Sequence, residues 1–551
     1  MRAYTLSTPV VALALLTLCG ACKSHGSNRD APDELDGEVA SGKSASAAAD
    51  DTGPPELPRT LLDTRELPAT GRRISVPRGG DLQRALDDAR AGDVILLEAG
   101  AQFVGSFKLP VKDGAGWITI RSSAADAELP PEGVRMDPSY AAKLAKLVTP
   151  NDDPALVAAP GAHHFRIVAV EITAAPNVTR NSALVLFGGG RRDQRRREDV
   201  PHHLIIDRSY VHGHATLATK RCVALNSAFS AVIDSYLADC HDKGFDAQAI
   251  CGWNGPGPFK IVNNYLEGSG ENVMFGGGDP GIQGLVPSDI EVRHNHFFKP
   301  LAWKGVWTVK NIFELKNAQR VLVEGNVFEN NWVDAQDGFA LMFKSENQDG
   351  TAPWTVTRNV TVRYNKIFNS PSGVNIGASY NNAAEGANRI LIEQNLFDRI
   401  GPPELGGGGR LWELVDDPSD LTFDHNTAFA ASSALMLTAL QKTFVKIRNN
   451  VLARGEYGFF GSGQGEGNRA IDYYLRASVI THNVIIGAKA DMYPAGNFFP
   501  ERIADVGFIA PNEGDYRLAR GSRYKHGGTD GRDVGADIDS LNAAIAGVVH
   551  R

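Results

Sequence analysis

From about residue 160 onward, apolar and polar positions alternate in short bursts that repeat along the chain: a strand of β-branched or aromatic residues, a Ser or Asn, one or two more apolar residues, then a Gly- or Asn-rich turn. The copies read LIIDRSYVHG, AVIDSYLADC, FKIVNNYLEG, DIEVRHNHFF, VLVEGNVFEN, VTVRYNKIF, ILIEQNLFD, LTFDHNTAF, VKIRNNVLA and SVITHNVIIG. Their registered polar residues are Ser209, Ser235, Asn264, Asn295, Asn326, Asn365, Asn395, Asn426, Asn450 and Asn483, mostly 24 to 33 residues apart, with a larger gap between Asn326 and Asn365. A coil of that size cannot bury its own apolar side chains, so coils must stack on one another. Stacked corners lie about 4.8 Å apart, which lets each Asn satisfy buried backbone groups and bond to the next Asn. An internal ladder is predicted.

One amphipathic helix precedes the repeat. Leu82, Ala85, Leu86 and Ala89 share a face, with Gln83, Arg84, Asp87 and Asp88 opposite, after Asp81 and before Gly92. Short strands follow at Asp93–Leu97, Ser106–Leu109 and Trp117–Ile120. The helix's apolar face needs a partner, and the open end of a stack of strands supplies one. Coils of the form V-x-(I/V)-x-x-N-x-(F/L) behind such a helix resemble the right-handed parallel β-helix family, the pectate-lyase-like (pectin lyase-like) superfold. The resemblance covers about residues 74–540. Asp515-Tyr516-Arg517-Leu518 and Val534-Gly535-Ala536-Asp537 resemble the closing segment of secreted members. It implies an all-β, right-handed parallel β-helix solenoid with an N-terminal capping helix, occupying 71–545. It selects no single activity, because the superfold carries lyases, hydrolases, epimerases, esterases and binding proteins.

Ahead of this domain, Arg2, the apolar run Pro9–Leu18 and Cys19-Gly20-Ala21-Cys22 read as an export signal over residues 1–22. The small residues before Cys22 resemble the bacterial lipoprotein signal, with Cys19 where that signal usually carries Leu. Lipidation of Cys22 is the expectation and plain secretion the alternative, so the chain is placed in the cell envelope or outside the cell. Residues 23–70, rich in Ser, Ala, Asp, Gly and Pro, predict a disordered linker. Cys222, Cys240 and Cys251 allow one disulfide and lack metal-site spacing. With Lys+Arg 56 against Asp+Glu 64, the net charge of -8 argues against a nucleic-acid partner. The 58 glycines, unusual at first sight, are read as sharp corners between coils.

Inward positions of a β-helix are core, so chemistry must come from outward side chains and loops. Tyr210, His241, Asp242, Lys243, Asp246, Glu267 and Glu271 come from successive turns. They form an inventory for β-elimination on a uronic acid: Asp242, Asp246, Glu267 and Glu271 as oxygen ligands for Ca²⁺, Lys243 to neutralise or abstract, and His241 or Tyr210 to move protons. A second concentration holds Trp303, Trp307 and Trp332 among Lys310, Glu314, Lys316 and Lys344, residue types that suit an acidic sugar. The run KNIFELKNAQRVLVEGNVFENNW resembles the polysaccharide lyase branch, and this implies Lys310 and Lys344 as base or neutraliser, Arg320 as neighbour, and Glu314 and Glu324 as ligands. The expected partner is therefore an acidic polysaccharide, with membrane contact through the lipid only. A glycoside hydrolase using paired carboxylates and a non-catalytic, carbohydrate-binding or adhesive solenoid are the alternatives.

Overall fold

The computed structural model describes residues 53–549. The export segment, Cys22 and most of the expected linker lie outside the described residues. Three parallel sheets run the length of the domain. A representative coil passes from the first sheet (Ala318–Glu324) through a two-residue corner to the second (Val327–Glu329). A longer loop leads to the third sheet (Phe339–Glu346), and the chain returns to the first at Thr357–Arg363. Equivalent residues fall in register on the next coil: Val321 beside Ile290 and Val360, Phe328 beside Phe297 and Ile367, Leu341 beside Phe313 and Val374. This is the right-handed parallel β-helix that the repeat predicts. Its inward residues form one continuous core that reaches from Leu82 and Leu86 to Ile471 and Tyr474.

Both ends of that core are covered. The helix Leu82–Asp88 begins at Asp81, whose side chain accepts from the Arg84 N–H, and it buries Leu82, Ala85 and Leu86 as expected. At the other end, the helix Asn468–Tyr474 buries Ala470, Ile471 and Tyr474. A third helix, Ile538–Ala544, packs Ile538 and Leu541 against Leu396 and Tyr516 on the outside of the coils. Residues 54–66 lie along the first sheet: the Arg59 N–H donates to Asp289, Lys260 donates to the Leu62 carbonyl, and Arg208 holds Glu66 at 2.6 Å.

The ladder sits at the corner between the first and second sheets. The backbone N–H and Nδ2 of Asn295 both donate to Asn326 Oδ1, at 2.9 and 3.0 Å, while Asn326 Nδ2 donates to the Val292 carbonyl at 2.9 Å. The series runs from Ser209, whose N–H meets Ser235 Oγ, to Asn483, whose N–H meets Asn497 Oδ1. Just before each ladder residue the backbone is left-handed, at Arg208, Asp234, Asn263, His294, Gly325, Tyr364, Gln394, His425, Asn449 and His482. Only Gly325 among these is glycine, so the glycine count does not record this corner. The non-glycine corners cost about 1 kcal/mol each and recover it outside the coil. Asn263 Nδ2 donates to Asp234 at 2.7 Å, and His294 Nδ1 faces Asn263 at 3.2 Å. Cys222 and Cys240 form a disulfide, and Cys251 is free and buried.

Candidate functional site

On the third sheet Val273, Phe313, Leu341 and Val374 point inward, so Met274, Glu314, Met342 and Asn375 point outward in one row. The residues after the paired Leu315 and Phe343 are Lys316 and Lys344, which therefore fall side by side on neighbouring coils. Loops leaving the second sheet flank one side of this face. There Trp303, Val309, Trp332 and Leu405 cluster, and the Val333 N–H donates to the Leu405 carbonyl at 3.0 Å. Loops leaving the third sheet flank the other side, where Thr351 joins Arg191 and Asp279, each at 2.7 Å.

Between the loops lies a dense charge cluster. Lys344 Nζ is 3.0 Å from Glu346 and 3.9 Å from Glu314, and Lys316 Nζ is 3.5 Å from Glu346 and 3.7 Å from Glu314. Lys310 holds Asp246 at 2.5 Å. Glu314 is fully buried, which alone would raise its carboxyl, but Lys316 and Lys344 hold it below the usual range. Glu271 moves the other way, pushed up by burial and by Asp246 and Glu314. Burial works against the ammonium of Lys316, yet Glu314 and Glu346 raise it overall, and Glu271 and Asp246 do the same for Lys310. Behind the cluster, buried Lys299 donates to three successive carbonyls, those of Gly268, Ser269 and Gly270, at 2.5, 2.9 and 3.1 Å.

Tyr380 completes the face. Its ring lies 5.3 Å from Lys344 Nζ, and its hydroxyl sits over Gly377, where a Cβ would come within 3.0 Å of it. Burial pushes the Tyr380 hydroxyl up to about 12, helped by Asp416, Glu346 and Glu413. Several buried acceptors on this face have no hydrogen-bond partner, among them Glu271 Oε1, Gln248 Oε1 and Asn311 Oδ1. Buried polar atoms left over in such a concentration point to a ligand.

The residues singled out from sequence divide among the three faces. Lys310, Lys344, Asp246 and Glu271 meet on the third sheet. Asp242, close by, is paired with Arg180 at 2.8 Å, and Lys243 is exposed. His241 is fully buried, with its ring stacked on Trp307 at 3.9 Å and edge-on to Trp303 at 5.0 Å. Trp303 and Trp332 are buried in the flanking loops, so their rings support that side of the face. Tyr210 and Glu267 belong to the second sheet, where Tyr210 stacks on His212 at 4.0 Å and Glu267 accepts from Tyr265 at 2.6 Å. Arg320 is on the first sheet, clamped by Asp289 at 2.7 and 3.0 Å, and Glu324 pairs there with Arg293 and Arg363.

A cavity of about 900 Å³ opens on the second sheet, lined by Tyr236, Tyr265, His296, Phe298, Glu329 and Lys366. Two pairs of its polar groups are already matched, His296 on Glu329 at 2.9 Å and Tyr265 on Glu267. The third sheet, with its unmatched acceptors and opposed charges, is the stronger candidate. Two features escaped the sequence reading. Tyr380 is one; the other is a histidine cluster on the first sheet that can coordinate a metal ion. There His164, His202 and His203 each offer a nitrogen, all within 4.8 Å of one another. The doublets His163-His164 and His202-His203, each opening a coil, were the available signal.

No family model and no curated protein matches the chain. Among solved structures it is similar to the PL6 family alginate lyase AlyGC, at 13% identity and TM-score 0.43, over 87% of this chain and 59% of that one. It is also similar to the catalytic domain of a GH87 α-1,3-glucanase, at 8% identity and TM-score 0.45, over 77% of this chain and 70% of that one. The tailspike of E. coli bacteriophage HK620, solved with a pentasaccharide, matches at 11% identity and TM-score 0.43, over 78% and 66%. The likeness is one of fold.

Proposed function

We propose that the third-sheet face is the active site of a lyase that cleaves a uronic-acid-containing polysaccharide by β-elimination. The observation that carries this reading is the pair Lys316 and Lys344, side by side on neighbouring coils between Glu314, Glu346 and Tyr380. In the reaction a base removes the C5 proton, the C5 electron pair forms the C4=C5 double bond, and the C4–O bond breaks with its oxygen taking a proton. The negative charge that spreads into the uronate carboxylate must be stabilised. Ammonium groups paired with carboxylates suit that task better than proton abstraction, so Lys316 and Lys344 neutralise and Glu346 takes the proton. Tyr380, kept protonated, donates to the leaving oxygen.

The resemblance to polysaccharide lyases brings Ca²⁺ with it, and the oxygens present fit such an ion: Glu271 and Glu314 with the side-chain carbonyls of Gln248 and Asn311. Bound there, Ca²⁺ would add positive charge beside the lysines. The substrate is an acidic polysaccharide, and the chain is exported, either lipid-anchored at Cys22 in the cell envelope or released outside the cell.

Digestion of a panel of uronic-acid polymers, with Ca²⁺ and with a chelator, should produce the ultraviolet absorbance of unsaturated ends. Lys344→Met should lower kcat by about 100-fold or more, and Tyr380→Phe by a similar factor. Reducing ends without absorbance would establish hydrolysis instead. Binding without either product would establish an adhesive solenoid.

A further inference from the structure

We propose that the first sheet carries a transition-metal site built from His164, His202 and His203, with His163 beside it. The backbone explains why four imidazoles meet. Successive residues of a strand point to opposite faces, but His164 and His203 are left-handed, at φ 59° and 54°. That turn sends both rings of each doublet outward, and their Nδ1 atoms face each other at 2.8 Å in His163-His164 and 2.7 Å in His202-His203. Since His202 pairs with His163 in the sheet register, the doublets lie one above the other. His163 stacks on His202 at 4.8 Å and 7°, and His164 on His203 at 4.4 Å and 6°. Phe229 closes one end, stacked on His203 at 4.7 Å, and Trp117 meets His164 edge-on at 5.3 Å.

The left-handed turn near the start of the first-sheet strand recurs at Phe229, Asp289, Arg320, Asn359, Arg389, Asp420 and Phe444. The device is general, and only two successive coils arm both of its positions with imidazole. The donor set is entirely nitrogen, which selects Zn²⁺, Ni²⁺ or Cu²⁺ and disfavours the hard Ca²⁺. Zinc at about 2.0–2.1 Å from each nitrogen needs them roughly 3.3 Å apart, so the nitrogens must close by up to about 1.5 Å from their present spread of up to 4.8 Å. They are half-buried, which leaves room for that movement. Three imidazoles leave at least one coordination position open. The site lies on a different sheet from the charge cluster and does not depend on the lyase reading.

The test uses the whole purified chain, stripped with a chelator and titrated with Zn²⁺ by calorimetry and with Co²⁺ by visible absorption. One ion per chain should bind at micromolar concentration or tighter, with the intense visible bands of a low-coordinate Co²⁺–imidazole centre. His164→Gln and His203→Gln should each weaken binding by at least about 100-fold, because losing a ligand should cost no less than the 10- to 100-fold typical of losing its hydrogen-bond partner. Circular dichroism of the metal-free variants should match that of the parent, so that loss of binding is not loss of fold. Absence of saturable binding below about 1 mM, or unchanged binding in His164→Gln/His202→Gln/His203→Gln, would overturn the assignment.

Discussion

Replacing Glu267 by Gln should make the protein more stable at pH 8 and not at pH 4. Glu267 is buried on the second sheet, accepting from the Tyr265 hydroxyl at 2.6 Å and from the Asp239 N–H at 3.0 Å. Burial outweighs these two donors and pushes the carboxyl up to about 7 from 4.5. The folded chain therefore binds this proton more tightly than the unfolded chain. Its contribution is fully present below pH 4.5 and is lost as pH rises through the window up to about 7. The full loss is about 3 kcal/mol. Glutamine stays neutral throughout but gives up one acceptor, which costs about 1 kcal/mol. The net expectation is a gain of about 2 kcal/mol at pH 8, a melting shift of roughly 2 °C in a domain of this size. Thermal denaturation of both proteins at pH 4, 6 and 8 reads the crossover directly. An offset that is the same at pH 4 and pH 8 would refute the reasoning, since only a titrating group gives the difference its pH dependence.

Asn326→Ala removes the acceptor for two Asn295 donors and the donor to the Val292 carbonyl. It should cost about 3–5 kcal/mol, read as earlier hydrogen exchange in the coils on either side. Cys222→Ser with Cys240→Ser opens a bridge spanning 18 residues and should cost about 3 kcal/mol, measurable by thermal melting. Gly377→Ala places a Cβ 3.0 Å from the Tyr380 hydroxyl and 3.4 Å from Lys344 Cβ. It should lower kcat roughly tenfold or more by displacing the donor while leaving the melting temperature within about 1 °C.

The solenoid was legible because its cause is periodic: each coil repeats the same inward apolar residues and the same corner Asn, so one chain prints its rule about ten times. The capping helix was legible for the same reason, since Leu82, Ala85 and Leu86 show a 3.6-residue period where the strands show two. The partition of outward residues was less legible. Lys310 and Arg320 are ten positions apart, yet the chain passes through a strand of the third sheet and into the first between them. Proximity in sequence therefore says little about the face a side chain reaches. Register says more: Lys316 and Lys344 occupy equivalent positions on successive coils, but they stand 21 and 18 residues after Asn295 and Asn326, so unequal loops hide that equivalence in the numbering.

Glycine marks many of the left-handed turns, as expected, but, Gly325 apart, not the corner before the ladder. A position that needs positive φ is cheapest with glycine, but a solenoid stacks each such position on its counterpart about 4.8 Å away. A side chain there can bond to the one above, as Asn263 does with Asp234 and His294 with Asn263. Once the stack repays the strain, glycine gives up an interaction and polar residues take its place. Backbone strain that would mark a special site in an irregular fold is here part of the repeat. What singles out a position is the side chain it presents, as at the two histidine doublets and at the paired lysines of the third sheet.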